Sequence, residues 1–233
     1  MLKNVFKILA VFIVGIVGGI FADQILWPYF IERPLFSQYR LSQGPVYVTE
    51  KKEITIQENT ALTAAIEKVE KVVVGVKTQT GTGSGLIVTS DGLMVTLAEL
   101  VPPGSDFNFF VDNQKVHFQI LKRDLKENLA LVRLEKENLA TVGFADLEKL
   151  KLGERVFLVG TIFVKEKPQE IVNEGIIKSF SQDFIKTNIF EKDILKGSPL
   201  FDIEGKVLGL NTIDSEGKVI AIPISKIKEF IGF

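Results

Sequence analysis

The chain changes its hydrophobic rhythm three times. From Ile8 to Ala22 apolar residues and glycines run without a break, extended backwards by Val5 and Phe6 past Lys7, and forwards by Ile25, Leu26 and Trp27 past Asp23 and Gln24. A bilayer core of roughly 30 Å takes about 20 helical residues. The first 27 residues therefore predict a membrane-spanning helix, with Lys7 snorkelling and Trp27 and Tyr29 at the far interface. Residues 28–59 read as a stalk, with prolines, mixed charge and a partly alternating run from Val46 to Ile56 that predicts a strand. Leu62, Ile66 and Val69 then fall at i, i+4 and i+7, which predicts a short helix over Thr60–Val69, capped by Thr60 or Asn59.

From Val72 the pattern turns to short β-rich runs separated by turn residues such as SDG (90–92), VDN (111–113), IEG (203–205) and SEG (215–217). About eleven strands at this spacing predict an all-β sandwich or barrel. The chain closes with SKIKEFIGF (225–233), and Ile224, Ile227 and Ile231 fall on one face of a final helix over about 224–231.

Lys3 and Lys7 precede the apolar run, so the N-terminus is expected in the cytoplasm and the remainder outside it. The rival reading is a cleaved signal peptide. A cut after Ala22 would put Ile20 at −3, where a small residue is wanted, so an uncleaved single-pass anchor is favoured. Gly15 and Gly19 form a GxxxG, a spacing that permits helix dimerisation, and a homo-oligomer stays open.

Lys and Arg number 28 against 29 Asp and Glu, for a net charge of −1. That balance offers no basic face to a nucleic acid. With no cysteine there is no disulfide, thiolate metal site or cysteine nucleophile. One histidine and scattered carboxylates make no metal cluster, and the glycines at 83 and 85 are not followed by the GK[ST] of a phosphate loop. No cofactor or metal is expected.

Five segments in order carry a resemblance: GSGLIVTSDGLMVTLAELV (83–101), DLKENLALVRL (124–134), LKLGERVFLVGTIF (150–163), FIKTNIFEKDILKGSPLFDIEGKVLGLNT (184–212) and IAIPI (220–224). Together they resemble the HtrA/Deg branch of the trypsin-like serine proteases. The resemblance implies two six-stranded β-barrels, over about 72–149 and 150–223 within a 60–233 domain, with a cleft between them. It places the family's histidine on Glu99, its aspartate on Asn128 and its serine on Lys196, the last over Phe184–Leu200 without a gap. The oxyanion-loop glycine falls on Ile194 and its neighbour on Leu195. No segment resembling the family's peptide-binding PDZ module follows.

All three triad positions depart from the family. A lysine cannot form and release an acyl intermediate as serine does. A glutamate is a feeble base for a hydroxyl near neutral pH, and an asparagine carries no charge to support an imidazolium. Loss of such a unit costs on the order of 10⁶ in kcat. The expectation is a catalytically inactive pseudoprotease that binds polypeptide or a partner protein outside the cytoplasm, in a bacterial cell envelope. Glu99 and Lys196 are expected either to pair or to be solvated in an open cleft. Lys218, Val219 and Ile220 are the expected peptide-pairing edge, by strand addition. The competing reading is an active serine endopeptidase with a displaced Ser198/Lys196 centre. His117 lies in the alternating KVHFQI and reads as structural or surface.

Overall fold

The structure, a computed structural model, describes residues 2–32, 58–79, 81–191 and 195–233. The predicted strand at 46–56 lies outside them. The chain divides into two compact units, Met1–Ile54 and Thr55–Phe233.

In the first unit, α1 (Leu2–Phe21) continues as a wider-wound helix over Ala22–Glu32. At 1.5 Å per residue the 20 residues of α1 run about 30 Å. The stretch Lys3–Trp27 is long and apolar enough to cross a membrane.

The second unit opens with α2 (Glu58–Val69), two residues earlier than predicted. Its Ala65 and Val69 are buried, with Leu62 and Ile66 packed beside them, so the predicted apolar stripe is the one that docks. Thirteen strands follow among the described residues: β1 (Val73–Thr78), β2 (Thr82–Ile87), β3 (Leu93–Leu97), β4 (Phe107–Val111), β5 (Gln114–Val116), β6 (Phe118–Asp124), β7 (Leu129–Leu134), β8 (Arg155–Val164), β9 (Lys167–Phe180), β10 (Ile185–Phe190), β11 (Pro199–Asp202), β12 (Val207–Ile213) and β13 (Lys218–Pro223). The helix α3 (Ile224–Ile231) ends the fold where the sequence predicts it.

β8 to β13 close into a six-stranded barrel in the order β10-β13-β12-β11-β8-β9. The first sheet departs from the expected closed six. It has seven strands in the order β5-β4-β1-β2-β3-β7-β6. The physical reason is a break at His117. A single extended run, Gln114–Asp124, pairs with β4 on one side of His117 and with β7 on the other. The chain itself thus joins the two edges of the sheet. The eleven runs read from the sequence omit β5 and β11; β11 is buried along three of its four residues and shows no alternation to read.

The two sheets share a seam. Phe157 and Val159 of β8, Phe201 of β11, and Val207 and Leu210 of β12 belong to the same core as the first sheet. Phe157 and Phe201 stack at 5.4 Å between centroids. Each fully buried ring contributes roughly 1.5–3 kcal/mol. Ile224, Ile227 and Phe230 of α3 return to this core, so the last element clasps the first sheet. Ile231, predicted on that face, is only partly buried.

Candidate functional site

Three short loops meet over the seam. The turn Ala98–Leu100 follows β3 and presents Glu99. Asn128 immediately precedes β7 with φ of 54°. Asparagine tolerates this left-handed backbone because its short amide bonds locally. The turn between β10 and β11 presents Lys196. The first two loops are joined through the backbone, Ala98 N–H donating to Asn128 C=O at 3.1 Å.

The three side chains form one network. Lys196 Nζ donates to Glu99 Oε2 at 3.2 Å. Asn128 Nδ2 donates to Glu99 Oε1 at 2.9 Å, and Asn128 Oδ1 accepts from the Glu99 backbone N–H at 3.0 Å. Of the two expected arrangements, pairing or solvation, the structure shows the pair. It is not a sealed one: the Glu99 side chain keeps 40% of its exposure and that of Lys196 22%. A pair this wet is worth at most about 1 kcal/mol.

The Lys196 turn is held rigidly from both sheets. Its C=O accepts from Ser84 N–H of β2 at 2.8 Å, and Gly197 N–H donates to Asn211 C=O of β12 at 2.8 Å. Gly197 has φ of 75°, and a Cβ there would run into the Ser84 carbonyl. At Gly83 a Cβ would meet Leu100 and the Lys196 carbonyl. The Gly83 and Gly197 positions thus permit a close approach of two backbones. Ser84 Oγ accepts from Thr161 N–H at 2.8 Å, which ties β8 to the same point.

Ser198 is fully buried. Its Oγ donates to Leu195 C=O at 2.7 Å and accepts from Asn211 Nδ2 at 3.1 Å. It supports the turn from below and does not face the cleft with Lys196. Leu195 is buried in the second core, and Ile194 lies outside the described residues. His117 is exposed at the β5–β6 junction, where its C=O accepts from Glu135 N–H, and takes no part in the network.

Lys218, Val219 and Ile220 are expected from the sequence on a free edge, and the structure places them inside the closed barrel. Val219 and Ile220 pair with Ile213 and Thr212 of β12, while Lys218 and Ile220 pair with Phe190 and Lys186 of β10. The open edge is on β12 instead. Beyond Asn211, Thr212 and Ile213 have ladder partners only on the β13 side among the described residues. This edge begins where the Lys196 turn ends. The structural origin of this edge is the mismatch in length between β11, with 4 residues, and β12, with 7.

Known proteins agree with this architecture. Residues 83–210 match the trypsin-like peptidase domain model. A probable periplasmic serine endoprotease, DegP-like, from Halomonas elongata is 28% identical over 139 residues, or 56% of this chain and 29% of that protein. Its counterpart in Pseudomonas putida strain F1 is 30% identical over 139 residues, covering 56% and 28%. The chain thus spans less than a third of the length of these relatives. Among solved structures, Deg5 superposes with a TM-score of 0.66 at 19% identity, over 74% of this chain and 93% of that one. The HtrA-type protease AlgW, solved with a tripeptide, gives 0.65 at 20% identity over 73% and 62%. Two β-modules sharing a seam, and a domain match spanning β2 to β12, lead to one assignment: the chain belongs to the trypsin-like peptidase domain family and is of the HtrA/Deg type.

Proposed function

We propose that this chain is a membrane-anchored pseudoprotease of the HtrA type, without peptidase activity, that binds polypeptide outside the cytoplasm. The observation that carries the proposal is the Lys196–Glu99–Asn128 network, formed where the family's pattern has serine, histidine and aspartate. In the active arrangement the middle residue takes a proton from the nucleophile. Here the middle residue is a carboxylate, and both neighbours donate to it. Lys196 has no hydroxyl to give up, and a carboxylate is a feeble base for a hydroxyl near neutral pH.

Polypeptide binding is supported by the Thr212–Ile213 edge, which offers ladder positions to an extended segment beside Lys196. The tripeptide bound to AlgW agrees with such a ligand, and the periplasmic naming of the relatives with such a location. Lys3 and Lys7 before the apolar helix support an N-terminus in the cytoplasm, with the domain on the far side of the membrane. The alternative, an active Ser198/Lys196 centre, would need Ser198 to leave the burial and both hydrogen bonds described above.

The deciding experiment is fluorophosphonate labelling of the full chain in detergent beside an active HtrA-type protease. No label on this chain is expected. Labelling abolished by Ser198→Ala would overturn the proposal. Binding of an unfolded polypeptide by the unlabelled protein, weakened by Ile213→Pro on the open edge, is the expected companion result.

A further inference from the structure

The outer face of β10 alternates cleanly. Ile185, Thr187 and Ile189 point inward, and Lys186, Asn188 and Phe190 point out. Two register shifts deform the sheet here. The β10–β13 pairing slips between Lys186 and Phe190, and the β10–β9 pairing slips between Lys186 and Thr187, where Lys178 is the extra residue. Between them lies a recess of about 350 Å3 whose lining includes Lys178, Lys186, Lys218 and Asp214.

The charges there do not balance. Three lysines line it with one carboxylate, Asp214, whose Oδ1 is already engaged by the backbone N–H groups of Glu216 and Lys218 at 2.9 Å. Lys218 pairs with Glu216. Lys178 and Lys186 make no ion pair among the described residues, and the Lys186 ammonium stands over the Phe184 ring at 4.7 Å. Apolar side chains border the lysines in the open: Phe190, 60% exposed, opposite Lys218, and Ile176, 40% exposed, on β9. Lysines gathered on one face raise a positive potential that draws an anion. Apolar side chains interleaved with lysines match one anion best, the headgroup layer of an acidic bilayer.

We infer that this β9–β10–β13 face docks the domain onto anionic lipid of the membrane that holds its own anchor. The inference rests on the anchor being retained. The tether explains why so few lysines suffice. About thirty residues separate the apolar helix from α2, and even fully extended they span only about 100 Å. The domain is thus confined near the surface at high effective concentration, and a weak contact becomes populated. Each lysine near an acidic surface strengthens attachment roughly fivefold.

The test is hydrogen exchange of the full chain in nanodiscs of phosphatidylcholine and in discs containing phosphatidylglycerol. Co-elution with the neutral discs reports the anchor by itself, so failure there sinks the anchor and not the docking face. Slower exchange at residues 176–190 and 214–220 in the acidic discs alone is expected. It should be reversed by high salt and weakened about 25-fold in Lys178→Gln with Lys186→Gln, the exchange of β1–β7 staying unchanged. Identical exchange in both discs would overturn the inference. So would the same protection produced in neutral discs by added polyglutamate, which would make an acidic polypeptide the occupant.

Discussion

Asn128 and Glu99 hold each other at both ends: the amide nitrogen donates to the Glu99 carboxylate at 2.9 Å, and the amide oxygen accepts from the Glu99 backbone N–H at 3.0 Å. Both bonds fix the orientation of the amide, because a carboxylate only accepts and a backbone N–H only donates. The three side chains are consequently interdependent. Once the central residue is a carboxylate, its neighbours must be donors, and asparagine and lysine are. An aspartate at 128 would turn a second carboxylate toward the first.

Asn128→Asp is therefore expected to destabilise the protein by about 1–2 kcal/mol near neutral pH, from one lost hydrogen bond and one like-charge contact. Two facing carboxylates raise the pKa of one of them, so the penalty grows as pH rises through that value and fades in acid. Urea unfolding at about pH 7 and about pH 4 measures it. Glu99→Gln added to Asn128→Asp should remove the pH dependence. An equal loss at both pH values would mean that the two carboxylates do not face each other.

The Lys196–Glu99 pair is expected to contribute little. A double-mutant cycle with Lys196→Gln and Glu99→Gln should give a coupling below about 1 kcal/mol, because both side chains keep contact with water. A coupling of several kcal/mol would show the cleft to be dry.

Ser198→Ala separates support from catalysis. The buried hydroxyl bonds Leu195 C=O and the Asn211 amide, and among the described residues Asn211 Oδ1 already lacks a partner. Its loss would leave the Asn211 side chain with no hydrogen bond to any described residue. A destabilisation of about 1–3 kcal/mol is expected, read as a lowered thermal midpoint, with fluorophosphonate reactivity absent before and after. An unchanged midpoint would contradict the supporting role.

Much of this was legible in the residues. Strands that alternate or run apolar between turn residues, such as β8 and β12, announce themselves, and five ordered segments located Glu99, Asn128 and Lys196. What the residues hid depends on pairing across distance. β11 has too few residues to show a period. The break at His117 follows from one run having two different neighbours. The edge status of β13 is decided by β10, far from it in sequence, and the slip that makes the lysine recess sits in the same pairing. Strand pattern reports which face of a strand is buried, and it does not report which of its two edges is occupied.

Titration away from the cleft offers a last prediction with two opposite signs. Glu170 lines a recess with Glu70 and Asp112. Partial burial pushes its carboxyl above the ordinary range, and the two neighbouring carboxylates push the same way. The folded state then holds this proton more tightly than the unfolded chain, so stability is lost as pH rises from the ordinary carboxylate range through the raised value. Asp124 is the reverse. Backbone N–H groups of Glu127 and Lys126, donating at 3.0 and 2.9 Å, hold its carboxyl below the ordinary range. Its contribution is present above that range and is lost as pH falls through the lowered value. Glu170→Gln should accordingly raise the thermal midpoint at about pH 7 and leave it unchanged in acid, while Asp124→Asn should lower it at about pH 7. A midpoint lowered by Glu170→Gln near neutral pH would mean that the recess stabilises the charge it holds.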